Sequence, residues 1–274
     1  MRRQHVDYTK RVVELKRLQR EARLYVGIPK RAKEGERFPV LYMHDGSNLF
    51  SDEESFSGVS WGLIEAYRDF PDLPRVIVVG LECAQGAERL EEYSGFPISH
   101  PELESYTPKP VGGKGGLYLD TIVSEIKPVI DRKYPTLPGS EYTGMAGASM
   151  GGVVTHYAAL TRGEVFSRFG CLSGAFFLSE RDVLQATEKA DLSRVRRFFL
   201  SVGTRETAVG DEDEYVRANR ALYTALSQKL DPERLRFTLV EGGIHHESEW
   251  AKLIPSVIRF LFSDIENSRI PGRP

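Results

Sequence analysis

The chain has 274 residues, 41% hydrophobic and 28% charged, a composition ordinary for a folded protein with its own core. Its formal net charge of −2, from 37 Lys and Arg against 39 Asp and Glu, excludes the basic surface that nucleic-acid binding requires. No apolar run approaches the length of a membrane span. We therefore expect neither a nucleic-acid partner nor a membrane partner.

The amino-terminal stretch MRRQHVDYTKRVVELKRLQR is basic but has no apolar core behind it, so it does not resemble a secretory signal. The two cysteines, Cys83 and Cys171, lie in mostly apolar stretches and cannot build a disulfide framework. We interpret them as buried free thiols. Together these features predict a cytoplasmic protein.

Strands and helices are predicted to alternate along the chain. In the first half, periodicity and Gly and Pro punctuation predict strands at 22–29, 38–46 and 75–83, a helix at 59–70, a Gly- and Pro-rich loop at about 84–116, and a helix at 116–135 kinked at Pro128. In the second half they predict strands at 141–147, 168–176, 196–204 and 235–243, and helices at 151–162, 181–190, 212–230 and 250–265.

The run RVIVVGLEC at 75–83 is apolar almost throughout, which is typical of a parallel strand buried on both faces. Strands that alternate with helices predict an α/β fold, in which one open, mainly parallel sheet carries helices on both faces. The sequence holds no internal repeat and no linker long enough to divide it. Residues 1–274 are therefore predicted to form a single domain.

The stretch YTGMAGASMGGVVTHY at 142–157 surrounds Ser149 with the smallest side chains of the chain. Its core, Gly147-Ala148-Ser149-Met150-Gly151, fits the pattern G-x-S-x-G and falls between a predicted strand and a predicted helix. Small residues there permit the strained turn that lifts a nucleophilic serine above the carboxyl edge of a sheet. The alternative is a Gly-rich turn whose serine only caps the helix. The placement favours the nucleophile.

A nucleophilic serine needs a general base, and the base needs an acid that orients it. In this class of fold both partners lie at the carboxyl ends of later strands, the acid first and the histidine second. Glu206 comes closest to the end of the sixth predicted strand, whereas Asp211 and Asp213 precede a helix whose amino terminus favours them. His245 and His246 both follow the last predicted strand, and their local sequence barely separates them.

Two backbone N–H groups are expected to bind the oxyanion that forms during acyl transfer. One belongs to Met150, directly after the nucleophile, and the other to Ser47, in the loop after the second predicted strand. His44 and Asp45 lie in that same loop. We interpret them as a structural hydrogen-bonding pair.

These segments resemble the esterase D-like family of α/β-hydrolases, which includes enterochelin esterases, feruloyl and acetylxylan esterases of carbohydrate esterase family 1, and S-formylglutathione hydrolases. PVLYMHDGSNLF resembles the family's first crossover, AGASMGG its nucleophile elbow, SVGTRE its acid segment and EGGIHHESEW its histidine segment. ERLEEYSGF resembles a further segment, with Gly95 where proline is usual. The resemblance covers nearly the whole chain, and it puts the acid on Glu206 and the base on His245.

The resemblance implies an α/β-hydrolase fold without a large cap domain. It also implies a serine carboxylesterase that acts through a Ser-His-Glu triad and an acyl-enzyme and needs no metal or organic cofactor. The expected substrate is a small-molecule ester, either of siderophore type or an acyl ester of a carbohydrate or aryl group. The alternatives are an acyltransferase of the same fold and a catalytically silent binding scaffold.

Large aromatic residues in the loops near the carboxyl edge of the sheet are predicted to contact the substrate. Trp61, Phe96 and Trp250 are the expected substrate-binding residues. The oligomeric state is left open by the sequence, and a homo-oligomer is compatible with it.

Overall fold

The computed structural model describes residues 6–30, 35–98, 100–104, 111–207 and 211–265. Within these residues ten strands follow one another as β1 (Val6–Leu15), β2 (Arg20–Pro29), β3 (Val40–Met43), β4 (Ile77–Leu81), β5 (Pro97–Ile98), β6 (Val111–Gly112), β7 (Thr143–Ala148), β8 (Arg168–Leu172), β9 (Arg197–Arg205) and β10 (Leu235–Ile244). Strands β5 and β6 form a separate antiparallel pair.

The other eight strands form one sheet in the order β1-β2-β4-β3-β7-β8-β9-β10. Strand β2 is antiparallel to both of its neighbours, and all remaining neighbouring pairs are parallel. Every residue of β3, β4, β7 and β8 is buried, which explains why these strands lack a polar alternation. The predicted α/β class with a mainly parallel sheet is confirmed.

Nine α-helices lie in the described residues: α1 (Leu63–Asp69), α2 (Ala87–Glu92), α3 (Pro101–Glu104), α4 (Gly115–Thr121), α5 (Lys127–Lys133), α6 (Met150–Thr161), α7 (Glu180–Lys189), α8 (Glu212–Ser227) and α9 (Glu247–Phe262). A π-helical turn, Ile122–Ile126, joins α4 to α5. Pro128 lies in the first turn of α5 and lacks the N–H that would donate to the preceding turn of this continuous helix. The predicted interruption at Pro128 therefore takes the form of a change in helical phase just before the proline.

The hydrophobic core lies on both faces of the sheet. Successive residues of β3 alternate between two clusters, with Val40 and Tyr42 in one and Leu41 and Met43 in the other. The first cluster also contains residues of α6 and α8, and the second contains residues of α1 and α9. Helices therefore cover both faces, as the sequence predicts.

Strand β1 is not predicted by the sequence pattern. It is an edge strand that pairs with β2 over ten residues, and most of its side chains are exposed or half-buried. Hydrogen bonds to β2 hold it in place, so its own sequence need not carry a strong apolar pattern. The predicted loop at about 84–116 also differs, because α2, α3, β5, β6 and the start of α4 lie within its described part.

Three further expectations concern the class of protein. Cys171 is buried and free, as predicted, whereas Cys83 is free but only partly buried. None of the helices in the described part of the chain combines the length and apolar character that crossing a bilayer requires. That residues 1–274 form one domain stays a prediction, which limited proteolysis would test.

The sheet topology gathers the predicted site at one edge. Strands β3, β7, β9 and β10 are parallel members of one sheet, so their carboxyl ends share that edge. Ser47 follows β3, Ser149 follows β7, Glu206 follows β9 and His245 follows β10.

Candidate active site

Ser149 occupies a strained turn between β7 and α6. Its backbone has φ of 55° and ψ of −124°, a conformation that residues other than glycine rarely adopt. The turn is held from both sides, because the Ser149 N–H donates to Leu172 O at 3.0 Å and its carbonyl accepts from Ala175 N at 3.3 Å. Strain that the surroundings fix in this way is typical of a functional side chain.

The small residues around Ser149 are required by close backbone approach. A Cβ atom at Gly147 would lie 2.7 Å from His44 Cδ2 and 2.8 Å from the Gly151 carbonyl carbon. A Cβ at Gly152 would lie 3.2 Å from Gly174 Cα. The turn therefore packs against the loop after β3 and the loop after β8, with no room for side chains.

His245 contacts a buried carboxylate. Its Nδ1 lies 2.5 Å from Glu206 Oε2, and the Glu206 side chain is fully buried. His246, the next residue, caps the amino terminus of α9 instead, where its Nδ1 lies 3.0 Å from Ser248 Oγ. The structure thus gives the two histidines different partners.

The described residues contain no hydrogen bond between Ser149 Oγ and His245. Contacts between nucleophile and base are often loose without substrate and tighten in the complex. The predicted pairing of these two side chains therefore stays a prediction.

Glu206 is fixed by two further hydrogen bonds. Its Oε1 accepts from Gly203 N at 2.7 Å and from Ser173 Oγ at 2.5 Å.

Asp211, the alternative acid, is the N-cap of α8 and forms a capping box with Glu214. Asp213 is exposed on the same helix. Both aspartates therefore have the helix-starting environment that the sequence predicts for them.

Trp250 lies behind the histidine rather than at an open surface. The ring is 6% exposed and its centroid lies 5.1 Å from that of His245, nearly perpendicular to it. Its Nε1 donates to Ser173 Oγ at 2.9 Å. No local signal in the sequence marks Ser173, because both hydrogen-bond partners of its side chain are distant in sequence.

The other two predicted substrate-binding residues differ in exposure. Trp61 is 1% exposed and packs in the core with its ring centroid 5.5 Å from that of Trp250. Packing leaves almost none of the Trp61 surface open to a ligand, and its predicted substrate contact stays a prediction. Phe96 is partly buried and meets Tyr157 edge-on at 5.3 Å, so part of its ring stays accessible.

The two predicted oxyanion donors lie in turns at the carboxyl edge. Met150 is the first residue of α6, where backbone N–H groups have no partner within the helix. Ser47 lies in the short 3₁₀ turn Gly46–Asn48. A Cβ at Gly46 would lie 2.7 Å from the Gly80 carbonyl carbon, so glycine lets this turn settle against β4.

His44 and Asp45 both make buried hydrogen bonds, but with other partners rather than with each other as expected. His44 Nδ1 lies 2.9 Å from Tyr118 Oη, and burial lowers the pKa of His44 to about 4. The Asp45 carboxylate accepts two hydrogen bonds of 2.9 Å from Arg89, and its N–H donates to Tyr93 Oη at 3.0 Å. Burial opposes the charge of Asp45, yet the Arg89 guanidinium holds the pKa of Asp45 below its ordinary value.

These contacts explain the segment ERLEEYSGF. Arg89 and Tyr93 both come from it and both bind Asp45, which stands next to the Ser47 turn. The segment thus braces the loop that carries one predicted oxyanion donor.

The sequence matches the family described as "Putative esterase" over residues 16–261. The chain belongs to the putative esterase family. This is a family of carboxylic ester hydrolases, and the match spans every strand of the central sheet except β1.

Two relatives in sequence extend the comparison. YbbA of Bacillus subtilis strain 168, described as an uncharacterized protein, is 25% identical over 235 residues that cover 82% of this chain and 86% of YbbA. An endo-1,4-beta-xylanase/feruloyl esterase of Xylanibacter ruminicola is 24% identical over 210 residues, which cover 63% of this chain and 27% of that protein.

The crystal structure of the enterobactin esterase FES from Shigella flexneri has a TM-score of 0.72 to this chain at 18% identity. The similarity covers 94% of this chain and 59% of that one. The two proteins therefore share the esterase α/β-hydrolase fold, which confirms the fold predicted from the sequence. This chain spans less than two thirds of FES and of the Xylanibacter protein.

Proposed function

We propose that this esterase-family protein is a serine carboxylesterase with Ser149 as nucleophile, His245 as general base and Glu206 as the orienting acid. The observation that carries the proposal is the hydrogen bond between His245 Nδ1 and the buried Glu206 carboxylate. That bond places the Nδ1 proton toward Glu206 and leaves Nε2 to accept a proton from the serine. The strained backbone of Ser149 supports the same assignment.

The reaction follows from these roles. Ser149 Oγ attacks the ester carbonyl carbon while His245 Nε2 takes the hydroxyl proton, and a tetrahedral intermediate forms. The intermediate collapses to an acyl-enzyme, and His245 returns the proton to the departing alcohol. Water then attacks the acyl-enzyme while His245 takes one of its protons, and a second tetrahedral intermediate forms. His245 returns that proton to Ser149 Oγ as the intermediate collapses, which releases the carboxylic acid and restores Ser149. Glu206 holds the imidazole in one tautomer and stabilises its positive charge.

The N–H groups of Met150 and Ser47 are proposed to bind the oxyanion of both tetrahedral intermediates. Met150 stands at the amino terminus of α6, where aligned peptide dipoles favour negative charge. A well-placed oxyanion donor lowers the barrier by about 3 kcal/mol.

The substrate is proposed to be a siderophore-type ester or an acyl ester of a carbohydrate or aryl group. Relatives in fold and sequence are named as an enterobactin esterase and a feruloyl esterase. Phe56 offers a fitting surface, because its ring is 94% exposed and its N–H donates to Asn48 Oδ1, one residue from Ser47. An exposed ring on a residue whose backbone binds Asn48 is suited to stack on an aryl group.

The first experiment measures hydrolysis of p-nitrophenyl acetate and butyrate by the wild type, Ser149→Ala and Ser201→Ala. Ser201 is a matched control, because it is fully buried in β9 and its hydroxyl has no hydrogen-bond partner among the described residues. We expect Ser149→Ala to lose activity and Ser201→Ala to keep it, with both folded by circular dichroism. A fluorophosphonate should label Ser149 in the wild type, as peptide mass spectrometry would reveal. Full activity in Ser149→Ala would overturn the proposal.

A substrate panel then separates the proposed classes. Enterobactin, ethyl ferulate and acetylated xylo-oligosaccharides are compared by kcat/KM in the wild type. For each substrate, kcat/KM is divided by the rate constant of the uncatalysed hydrolysis. We expect this ratio for one of the three to exceed the ratio for p-nitrophenyl acetate by about 100-fold or more. Comparable low rates on all three would contradict the proposed substrate classes while leaving the serine mechanism intact.

A further inference from the structure

Ser173 stands at the centre of a hydrogen-bond chain behind the proposed triad. It follows β8, is 3% exposed, and its Oγ lies 2.5 Å from Glu206 Oε1 and 2.9 Å from Trp250 Nε1. These partners come from the ends of two other elements, β9 and α9. Ser173 therefore joins three separate parts of the chain at the carboxylate that binds His245.

The donor and acceptor of each hydrogen bond around Ser173 follow from the chemical groups involved. An indole N–H can only donate, so Ser173 Oγ accepts from Trp250. The Ser173 hydroxyl hydrogen is then left to donate to Glu206 Oε1. Because the Gly203 N–H donates to the same oxygen, Oε1 is fully engaged and Oε2 alone faces His245.

The backbone of Ser173 indicates that its side chain is used. Its φ is 48°, in the left-handed region that glycine adopts without steric cost and serine does not. The conformation is held by a hydrogen bond of 2.7 Å from the Ser173 N–H to Ser201 O. Glycine would adopt this φ at a lower steric cost, so the presence of serine indicates that its hydroxyl has a role.

The end of β8 also holds the nucleophile. Leu172, the residue before Ser173, accepts the hydrogen bond from the Ser149 N–H. Two consecutive residues thus bind the serine turn and the acid, so the geometry between Ser149 and Glu206 depends on this strand end.

We propose that Ser173 is a positioning residue for the Glu206 carboxylate, and that Trp250 directs the Ser173 hydroxyl toward it. The inference rests on the proposed serine-esterase function. Ser173 touches neither substrate nor reacting atoms and acts through Glu206 on the tautomer and orientation of His245. Trp250 is accordingly a supporting residue of the triad rather than a substrate contact.

The test compares kcat and KM on p-nitrophenyl acetate for Ser173→Ala, Ser173→Gly, Trp250→Phe and the double variant Ser173→Ala/Trp250→Phe. Ser201→Ala is the matched control, since it removes a buried hydroxyl that lacks a partner among the described residues. Fluorophosphonate titration counts active sites in each preparation. Ser173→Gly relieves the strained φ while it removes the hydroxyl, so it separates a loss of positioning from a loss of folding.

We expect both Ser173 variants to lower kcat by about 10- to 100-fold at nearly unchanged KM. Trp250→Phe should lower kcat by a smaller factor in the wild type and by less than about twofold in the Ser173→Ala background, because Trp250 acts through Ser173. Ser201→Ala should match the wild type.

Wild-type kcat in folded Ser173→Gly would overturn the inference. A Trp250→Phe effect of equal size in both backgrounds would overturn the part assigned to Trp250. Ser149→Ala, measured in the same assay, separates these failures from failure of the proposed function. If that variant stays fully active, the serine mechanism itself is wrong; if it is inactive while Ser173→Gly is unimpaired, the positioning role alone is wrong.

Discussion

His245 and His246 are consecutive residues, yet His245 alone of the two contacts the buried carboxylate of Glu206. The two residues form the bend between β10 and α9, in which the His246 N–H donates to Ile244 O at 3.0 Å. In this bend one imidazole faces Glu206 and the other caps α9.

This relationship predicts different effects for the same substitution at neighbouring positions. His245→Gln should lower kcat by about 1,000-fold or more, because it removes the proposed general base. His246→Gln should stay within a few-fold of the wild type, since His246 only caps a helix. The measurement is steady-state hydrolysis of p-nitrophenyl acetate by both variants. Equal losses in the two would contradict the assignment of the base.

The close packing under the nucleophile predicts that Gly147 does not tolerate a side chain. Gly147→Ala should lower the free energy of unfolding by about 2 kcal/mol or more, because its Cβ would strike the Gly151 backbone, which cannot move without distorting the turn. Gly116→Ala is the matched control, since the nearest atom to its Cβ, Tyr157 Oη, lies 4.0 Å away. It should remain within about 1 kcal/mol of the wild type. Urea unfolding measures both, and equal stabilities would show that the turn can relax.

The ion pair of Asp45 with Arg89 predicts a strong coupling in the loop after β3. Arg89→Met should destabilise the fold by about 3 kcal/mol, because it leaves a buried carboxylate without its guanidinium. Asp45→Asn combined with Arg89→Met should be more stable than Arg89→Met alone, since the unpaired charge is gone. Thermal unfolding of the two single variants and the double variant measures the coupling. Additive effects would mean that the pair contributes little.

The ion pair also predicts a sensitivity to acid. The pKa of Asp45 is lowered in the fold, so its contribution to stability is present above the unfolded value of 3.8 and is lost as the pH falls through the lower folded value. In Asp45→Asn this part of the acid destabilisation should be missing. Unfolding curves at pH 4 and below test it, with the wild type as the reference.

Buried His156 predicts a loss of stability at a milder pH. Burial lowers its pKa from the usual 6.5 to about 3, so between these values the unfolded chain binds a proton that the folded protein does not. Stability should therefore fall as the pH decreases from 7 to 5, and one such histidine contributes about 2 kcal/mol to that fall. His156→Gln should reduce the fall by about this amount. The measured quantity is the difference in the free energy of unfolding between pH 7 and pH 5, from urea unfolding of each protein. The loss of the hydrogen bond to Thr187 lowers stability equally at both pH values, so it cancels in this difference. An unchanged pH dependence would mean that His156 is protonated as readily in the fold as in the unfolded chain.

The same residues show where sequence reasoning succeeds and where it fails. The strained turn at Ser149 was predictable, because such a turn between strand and helix needs small neighbouring residues. Those residues are adjacent to Ser149 in the sequence. That Glu206 lies just past the end of β9 was predictable from the strand pattern before it, and its role as the acid stays a prediction. Ser173 was not predictable, since its hydroxyl meets partners 33 and 77 positions away in the sequence. That Trp61 packs in the core was not predictable, because an aromatic residue carries no local sign of the side on which it packs.

Sequence by itself determined the α/β class, the alternation of strands and helices, the elbow at Ser149 and the family resemblance. These properties follow from apolar periodicity and from backbone conformations that only certain residues adopt, and both are local. Tertiary structure decided which histidine faces Glu206, that edge strand β1 exists, that Asp45 binds Arg89 and that Ser173 links Trp250 to Glu206. Each of those depends on strand order, register and packing between distant segments, which no short window of sequence contains.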